Sequence, residues 1–324
     1  MKSWWFPIIF IFLLSCRPEN KDVNSIKLAH SLSVNHPVHE AMVYMADLVE
    51  NKSEGKLKIE IYPSSQLGSE KQSLELLQIG SLGMTKVSAA VMENFSPDLK
   101  VLGYPYIFRD NAHRFKIYDS SIGKKLLSGS GQYWLKGLTY FDAGNRSFYT
   151  KDTPINKPKD LQGLKIRVMQ SPTAIEMVKQ FGGSPTPISW AELYTSLQQG
   201  VVDGAENNLP SFYTSKHYEV CKYFSLNEHS SIPDILVIGT ITWNKLNPQE
   251  KEWLMEAVQE ATVLQRELWE KAEREALSEI KKAGVHVSHP DKSSFEEKAE
   301  PMLQSLKEKD SHLYELVEEI KKVH

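Results

Sequence analysis

The chain has 324 residues, enough for two domains sharing a hinge or for one large one. Hydrophobic residues make up 41% and charged residues 24%, the balance of a water-exposed globular protein. With 38 basic against 41 acidic residues the formal charge is −3, and no long basic run exists, so no nucleic-acid partner is expected; an anionic ligand would be attracted by a local arginine and not by the overall field.

The first sixteen residues, "MKSWWFPIIFIFLLSC", stand apart. Lys2 supplies a positive start, and residues 4–14 form an apolar core. That core is too short to cross a bilayer as a helix, which takes about 20 residues, but suits a signal peptide. The closing "LLSC" resembles the lipobox of bacterial lipoproteins, in which the cysteine becomes the lipid-modified first residue. The alternative is an ordinary secretory leader with an incidental cysteine. Residues 1–15 are therefore expected to be a signal peptide, and 16–25 a polar tether anchored to the membrane through Cys16. The only other cysteine, Cys221, then has no disulfide partner. It lies in a strand-like run and reads as a buried, inert thiol.

The mature chain opens on an alternating strand, "SIKLAHSL". In the helix that follows, Val38, Ala41, Met42, Met45, Leu48 and Val49 recur at helical spacing until Gly55. "LKIEIYP" is a second strand, "SEKQSLELLQIGSLG" a second helix and "MTKVSAA" a third strand, and "YPYIFRDNAHRFKIY" leads into another helix. Strands alternating with helices predict an α/β domain with a largely parallel sheet. The pattern restarts at "LKGLTYFDAGNRSFYT". A Pro-rich connection, the strand "GLKIRV", the helices "PTAIEMVKQFGG" and "PTPISWAELYTSLQQG", and the strands "VVDGAEN" and "YEVCKYFSL" read as a second α/β domain. "PDILVIGTITWNKL" reads as a strand returning to the first.

A very long helix is predicted from near Pro248 to before Gly284, about 54 Å at 1.5 Å per residue. Leu254, Ala257, Val258, Ala261, Leu264, Leu268, Ala272, Ala276 and Ile280 trace its stripe. One reading is a coiled-coil oligomerisation helix. The stripe is rich in Ala and lacks strict a/d heptads, which favours a helix packed across both lobes of a monomer. "VHVSHP" and two charged helices close the chain.

Catalytic and cofactor motifs are missing: no G-x-S-x-G, Walker loop, HExxH or G-x-G-x-x-G occurs. His36, His39 and Glu40 in "HPVHE" lack a second cluster to complete a metal site. "SGSG" at 128–131 reads as a turn. No metal, no cofactor and no enzymatic activity are expected.

Arg167 ends the strand "GLKIRV" just before Pro172 opens a helix. In open α/β sheets ligands bind beyond the C-terminal strand ends, where a guanidinium fork matches a carboxylate. The competing reading is a surface ion pair. "GLKIRVMQSP" followed by "PTPISWAELYTSLQQGVVDGAENN" resembles the signature of the DctP-type substrate-binding proteins of tripartite ATP-independent periplasmic (TRAP) transporters. "LGSEKQSLELLQIGSLGM", "YPYIFRD", "GNRSFYT" and "HYEVCKYFSLNEH" fit the same family in order.

That resemblance implies a two-lobed periplasmic-binding-protein-like α/β fold with a long helix spanning both lobes. The boundaries expected are 26–142 with 233–271 for lobe I and 143–232 with 272–324 for lobe II. It also implies hinge closure on an organic acid, which is delivered to TRAP membrane subunits. The carboxylate-clamping arginine falls on Arg167, a second arginine near the ligand on Arg146, the opposing asparagine on Asn207 and the packing aromatic on Trp190. First-lobe contacts vary with substrate; the strand-end positions here are His30, Lys86 and Ser88, with Glu70 opening the second helix. Each has a plainer reading: Trp190 as core, Glu70 complementing a helix N-terminus, Lys86 paired locally, His30 as a satisfied buried histidine. Asn208 reads as the cap of the helix near Leu209. The polar set suits a polyhydroxylated acid better than a bare dicarboxylate, and "RSFYT" and "DGAENN" resemble the sugar-acid branch of the family, which implies a hexuronate such as glucuronate or galacturonate. Ser88 and Val91 stand where sialic-acid binders carry a glutamate and an arginine. The alternatives are a C4-dicarboxylate or keto acid, or an exported enzyme acting on sugar acids.

Overall fold

A computed structural model describes residues 23–323. The leader, Cys16 and most of the expected tether lie outside the described residues. The first lobe begins with β1 (Asn24–Ala29), α1 (Pro37–Lys52), β2 (Leu57–Tyr62), α2 (Glu70–Gln78), β3 (Met84–Ser88) and the single turn α3 (Ala89–Met92). A 3-10 segment over Pro97–Gly103, α4 (Asn111–Asp119) and α5 (Ser121–Gly129) precede β4 (Leu135–Phe141). The helix starts follow local chemistry. Ser69 and Gln72 form a capping box on α2, and His36 caps α1 ahead of Pro37.

The chain then enters a second sheet with β5 (Arg146–Thr150), β6 (Lys165–Val168), α6 (Pro172–Gln180), β7 (Ser184–Pro187), α7 (Trp190–Gln198), β8 (Gly204–Asn207), α8 (Leu209–Thr214) and β9 (Tyr223–Ser230). It returns with β10 (Asp234–Gly239) and α9 (Thr240–Lys245) before α10 (Pro248–Lys282), β11 (His286–Ser288), α11 (Ser293–Lys309) and α12 (Ser311–Lys322). The first sheet runs β2-β1-β3-β10-β4 and the second β11-β9-β5-β8-β6-β7. β1, β2 and β3 are mutually parallel, and β10 runs antiparallel between β3 and β4. The two prolines of β7 sit on an edge strand, where a missing N–H breaks no ladder.

β4 departs from the reading that a second domain starts with this strand, and lies within the lobe I range of 26–142 that the family resemblance implied. "LKGLTYF" belongs to the first sheet, and the second begins only at Arg146. The crossover at 142–145 turns tightly at Gly144, whose φ is +58° and whose added Cβ would lie 2.8 Å from Trp269 Nε1. "SGSG" is likewise not an isolated turn: it ends α5 and enters a 3-10 turn over Ser130–Tyr133.

β10 is buried along its whole length and serves two cores by alternation. Ile235 and Val237 face one side of the sheet, Leu236 and Ile238 the α1 and α10 side. The long helix has 35 residues, about 52 Å. Its N-terminal half packs in the first lobe's core (Leu254, Ala257, Val258, Ala261), and Ala276 and Ile280 pack in the second's. Its buried face is thus used within the chain, in place of a coiled-coil seam. Between those halves the buried positions are Gln265 and Trp269; Leu264, Leu268 and Ala272 are half-buried. Polarity is needed there because the helix passes the crossover. Gln265 accepts from Asp142 N at 2.7 Å and donates to Asp142 O at 2.8 Å. α12, expected with lobe II, docks on lobe I: it packs on the 3-10 segment at 97–103, and His113 Nε2 lies 3.0 Å from Ile320 O.

Candidate functional site

Between the two sheets lies a cavity with an empty volume of about 690 Å³, counting its mouth. Ala143 and Ile232, from the two crossovers, line it. Its polar residues come from one end of each sheet. β6 and β8 are parallel, and Arg167 and Asn207 lie toward their C-terminal ends. Arg146 opens antiparallel β5 beside the end of β8, and Asp234 opens β10 directly opposite Ser88. Seven of the eight expected residues line the cavity: Glu70, Lys86, Ser88, Arg146, Arg167, Trp190 and Asn207.

Arg167 is 2% exposed. Its Nε donates to Ile188 O at 2.8 Å, and its guanidinium carbon lies 5.7 Å from the Trp190 ring centre. Its Nη1 is buried with no hydrogen-bond partner, and among the described residues no carboxylate pairs with it. Burial depresses its pKa, the sign of a cation without a counter-charge.

Arg146 differs in kind. It donates to both Glu206 carboxylate oxygens (2.5 and 2.9 Å), to Glu206 O at 2.8 Å and to Asn207 Oδ1 at 2.8 Å. Four of its five N–H donors are thus used inside the protein. Burial opposes the Glu206 charge, but Arg146 and His229 outweigh it and hold the carboxyl at about 2. Arg146 therefore orients Asn207 more than it offers itself. With Oδ1 taken by Arg146 and Asn208 N, Asn207 keeps its amide donors for the cavity. Asn208 caps α8, accepting from Ser211 N at 2.8 Å, as its sequence position implied.

On the first-lobe side, Lys86 Nζ lies 3.1 Å from both Glu70 Oε1 and Asp234 Oδ1. Burial works against the lysine charge, and Asp234 and Glu70 overcome it, so its pKa is raised. Burial also raises that of Asp234. Glu70 accepts further from Ser88 N at 3.2 Å and Ser31 Oγ at 3.3 Å. Lys86 does pair locally and Glu70 does stand in the first turn of α2, and both also line the cavity. Ser88 caps α3. This wall carries one cation between two carboxylates.

His30 corrects an expectation: it is not among the residues lining the cavity. Its Nδ1 accepts from Leu32 N at 3.2 Å and its Nε2 lies 3.0 Å from His39 Nδ1. Burial, Lys86 and His39 lower its pKa to about 3. It shapes the turn that presents Ser31 and Leu32, which do line the cavity. Sequence reasoning missed Asp234, read only as the start of a returning strand; an acidic side chain at the head of an otherwise apolar strand was the available signal. Among the described residues no three His, Cys, Asp or Glu side chains gather to hold a metal ion. Cys221 is buried, and burial pushes its thiol up to about 12.

A family model described as bacterial extracellular solute-binding protein, family 7 (DctP), matches residues 28–310. The chain belongs to the DctP family. It is 36% identical over 297 residues to the uncharacterized protein YiiZ of Salmonella typhimurium, covering 91% of this chain and 90% of that one. A TRAP periplasmic solute-binding protein of Xanthobacter autotrophicus, solved with bound β-D-galacturonate, superposes with a TM-score of 0.89 at 34% identity and covers 92% of this chain and all of its own. One from Anaerococcus prevotii, solved with D-glucuronate, gives 0.90 at 34% identity, over 92% of this chain and 97% of that one. The fold is therefore that of a two-lobed solute-binding protein with a long connecting helix, and the family is one of extracellular binding proteins and not of enzymes.

Proposed function

We propose that this DctP-family protein is the extracytoplasmic receptor of a TRAP transporter and binds a hexuronate such as D-glucuronate or D-galacturonate. The observation that carries the reading is Arg167, a buried cation in an interlobe cavity with no carboxylate of its own. A ligand carboxylate supplies the missing charge, and the planar fork takes it through two parallel bonds. Trp190 and Asn207 flank that carboxylate. Opposite them, Glu70 and Asp234 accept from ring hydroxyls, with Lys86 balancing them. A C4-dicarboxylate would bring its second anion against these two carboxylates, which disfavours it. The two solved relatives with bound uronates support the same class.

Lobe I (26–142 with 233–271) and lobe II (143–232 with 272–324) close over the ligand about the crossovers at 142–145 and 231–233, with α12 bridging back to lobe I. The closed monomer docks on the membrane subunits. Cys16 carries a lipid that keeps the receptor at the membrane. No reaction is catalysed. Calorimetric titration with glucuronate, galacturonate, succinate and malate tests the reading: the uronates bind tightest and are recovered unchanged. Tightest binding of succinate, or conversion of a uronate, contradicts it.

A further inference from the structure

A second cavity lies beside the first, with an empty volume of about 640 Å³ counting its open mouth. Ser31, Leu32 and Trp190 are walls of both. Across the second cavity Ser33, His36 and Ser64 of the first lobe face Tyr194, Ser215 and His217 of the second. None of its eleven lining residues is Lys, Arg, Asp or Glu. Both histidines are neutral at pH 7: burial holds His36 well below its ordinary value, and burial followed by Arg167 brings His217 to about 3. The nearby carboxylate of Glu219 is engaged at 2.8 Å by the Tyr194 hydroxyl.

An indole beside a set of hydroxyl walls suits a pyranose ring, whose C–H face packs on an aromatic and whose hydroxyls exchange hydrogen bonds. The uncharged lining suits a neutral one, because an anion there would be desolvated without a counter-charge. The loop joining the cavities is strained in a way that supports a ligand role. Ser64 and Ser65 are consecutive left-handed residues, φ 54° and 59°, held by Ser64 N to Leu32 O at 2.9 Å and Ser65 N to His30 O at 3.0 Å. Ser64 faces the second cavity and Ser65 the first, where its hydroxyl is buried without a partner.

We propose that the second cavity is a subsite for a neutral sugar linked to the acid held in the first, so that the receptor takes a disaccharide in which one ring alone is charged. This rests on the sugar-acid reading above. The linkage passes along the shared wall of Leu32 and Trp190. The test is calorimetric titration of the full chain and of Ala191→Phe, at an exposed α7 position that lines the second cavity and not the first. The probes are glucuronate, glucuronate linked through its anomeric carbon to glucose, glucuronate carrying glucose on its C4 oxygen, and digalacturonate. At least one mixed disaccharide binds as tightly as glucuronate, and digalacturonate binds about tenfold or more weakly; Ala191→Phe weakens the mixed disaccharide about tenfold and leaves glucuronate unchanged. If glucuronate binds and neither mixed disaccharide does, the subsite is wrong and the monosaccharide reading stands. Equal losses for both ligands in Ala191→Phe also refute a separate subsite. If no uronate binds at all, the sugar-acid reading fails and takes the subsite with it.

Discussion

Replacing Arg167 with alanine removes a buried cation whose Nη1 has no hydrogen-bond partner within the protein. The side chain is 2% exposed, its Nε is held by Ile188 O, and its remaining donors face a cavity that supplies no carboxylate to it. Once the lobes close, the ligand carboxylate and this guanidinium are each other's counter-charge out of water. Truncating one partner of such a pair costs about 2–5 kcal/mol. At about 1.4 kcal/mol per decade, the affinity of Arg167→Ala for glucuronate falls by roughly 30-fold to several thousand-fold. Arg167→Lys also loses heavily, since an ammonium keeps the charge but not the planar pair of bonds. The unliganded fold tolerates the change, because an uncompensated buried charge is removed with it. Calorimetric titration beside thermal melts without ligand measures both effects. Near-normal affinity in the alanine variant refutes the clamp. A collapsed melting temperature makes Arg167 a structural residue, and the clamp would then be sought at Arg146.

The buried Arg146–Glu206 pair has the opposite character, and its effect is on stability. The Glu206 carboxyl titrates at about 2 when folded against about 4.3 unfolded, so its contribution is present above about pH 4.3 and is lost as pH falls toward 2. Glu206→Gln lowers stability at pH 7 by about 3–5 kcal/mol and flattens this acid limb in thermal melts, whereas an unchanged limb assigns it to other carboxylates. Glu70→Ala and Asp234→Ala weaken glucuronate more than succinate by titration; equal losses mean that these residues do not read sugar hydroxyls. Cys16→Ser releases the protein from the membrane fraction with its ligand binding intact, and a variant that stays membrane-bound contradicts the lipid anchor.

The alternation of strands and helices was legible because each element carries its own period and cap, as in β1, α1 and the Ser69–Gln72 box. The place of Arg167 in the cavity was legible in part: a strand-end arginine before a Pro-initiated helix is a local pattern, and the family signature around it did the rest. Most of what escaped depends on chain segments far apart, and His30 on a local turn. β4 reads as the start of a second domain because nothing local says that its partner is β10, about a hundred residues later. The middle of α10 buries Gln265 and Trp269 because the crossover passes there, which overrides the apolar stripe. His30 follows a strand like a site residue, yet its ring is consumed by its own turn and by His39. Asp234 escaped because its role arises only when β10 sets it opposite Ser88, beside Lys86.

In the proposed complex a sugar acid binds between the lobes with its carboxylate on Arg167. A crystal structure of the protein grown with D-galacturonate tests it most directly. Two hydrogen bonds are expected from Arg167 to the ligand carboxylate, with Trp190 and Asn207 beside it and ring hydroxyls on Glu70 and Asp234. A carboxylate turned toward Lys86, or a ligand bound outside the interlobe cavity, would contradict it.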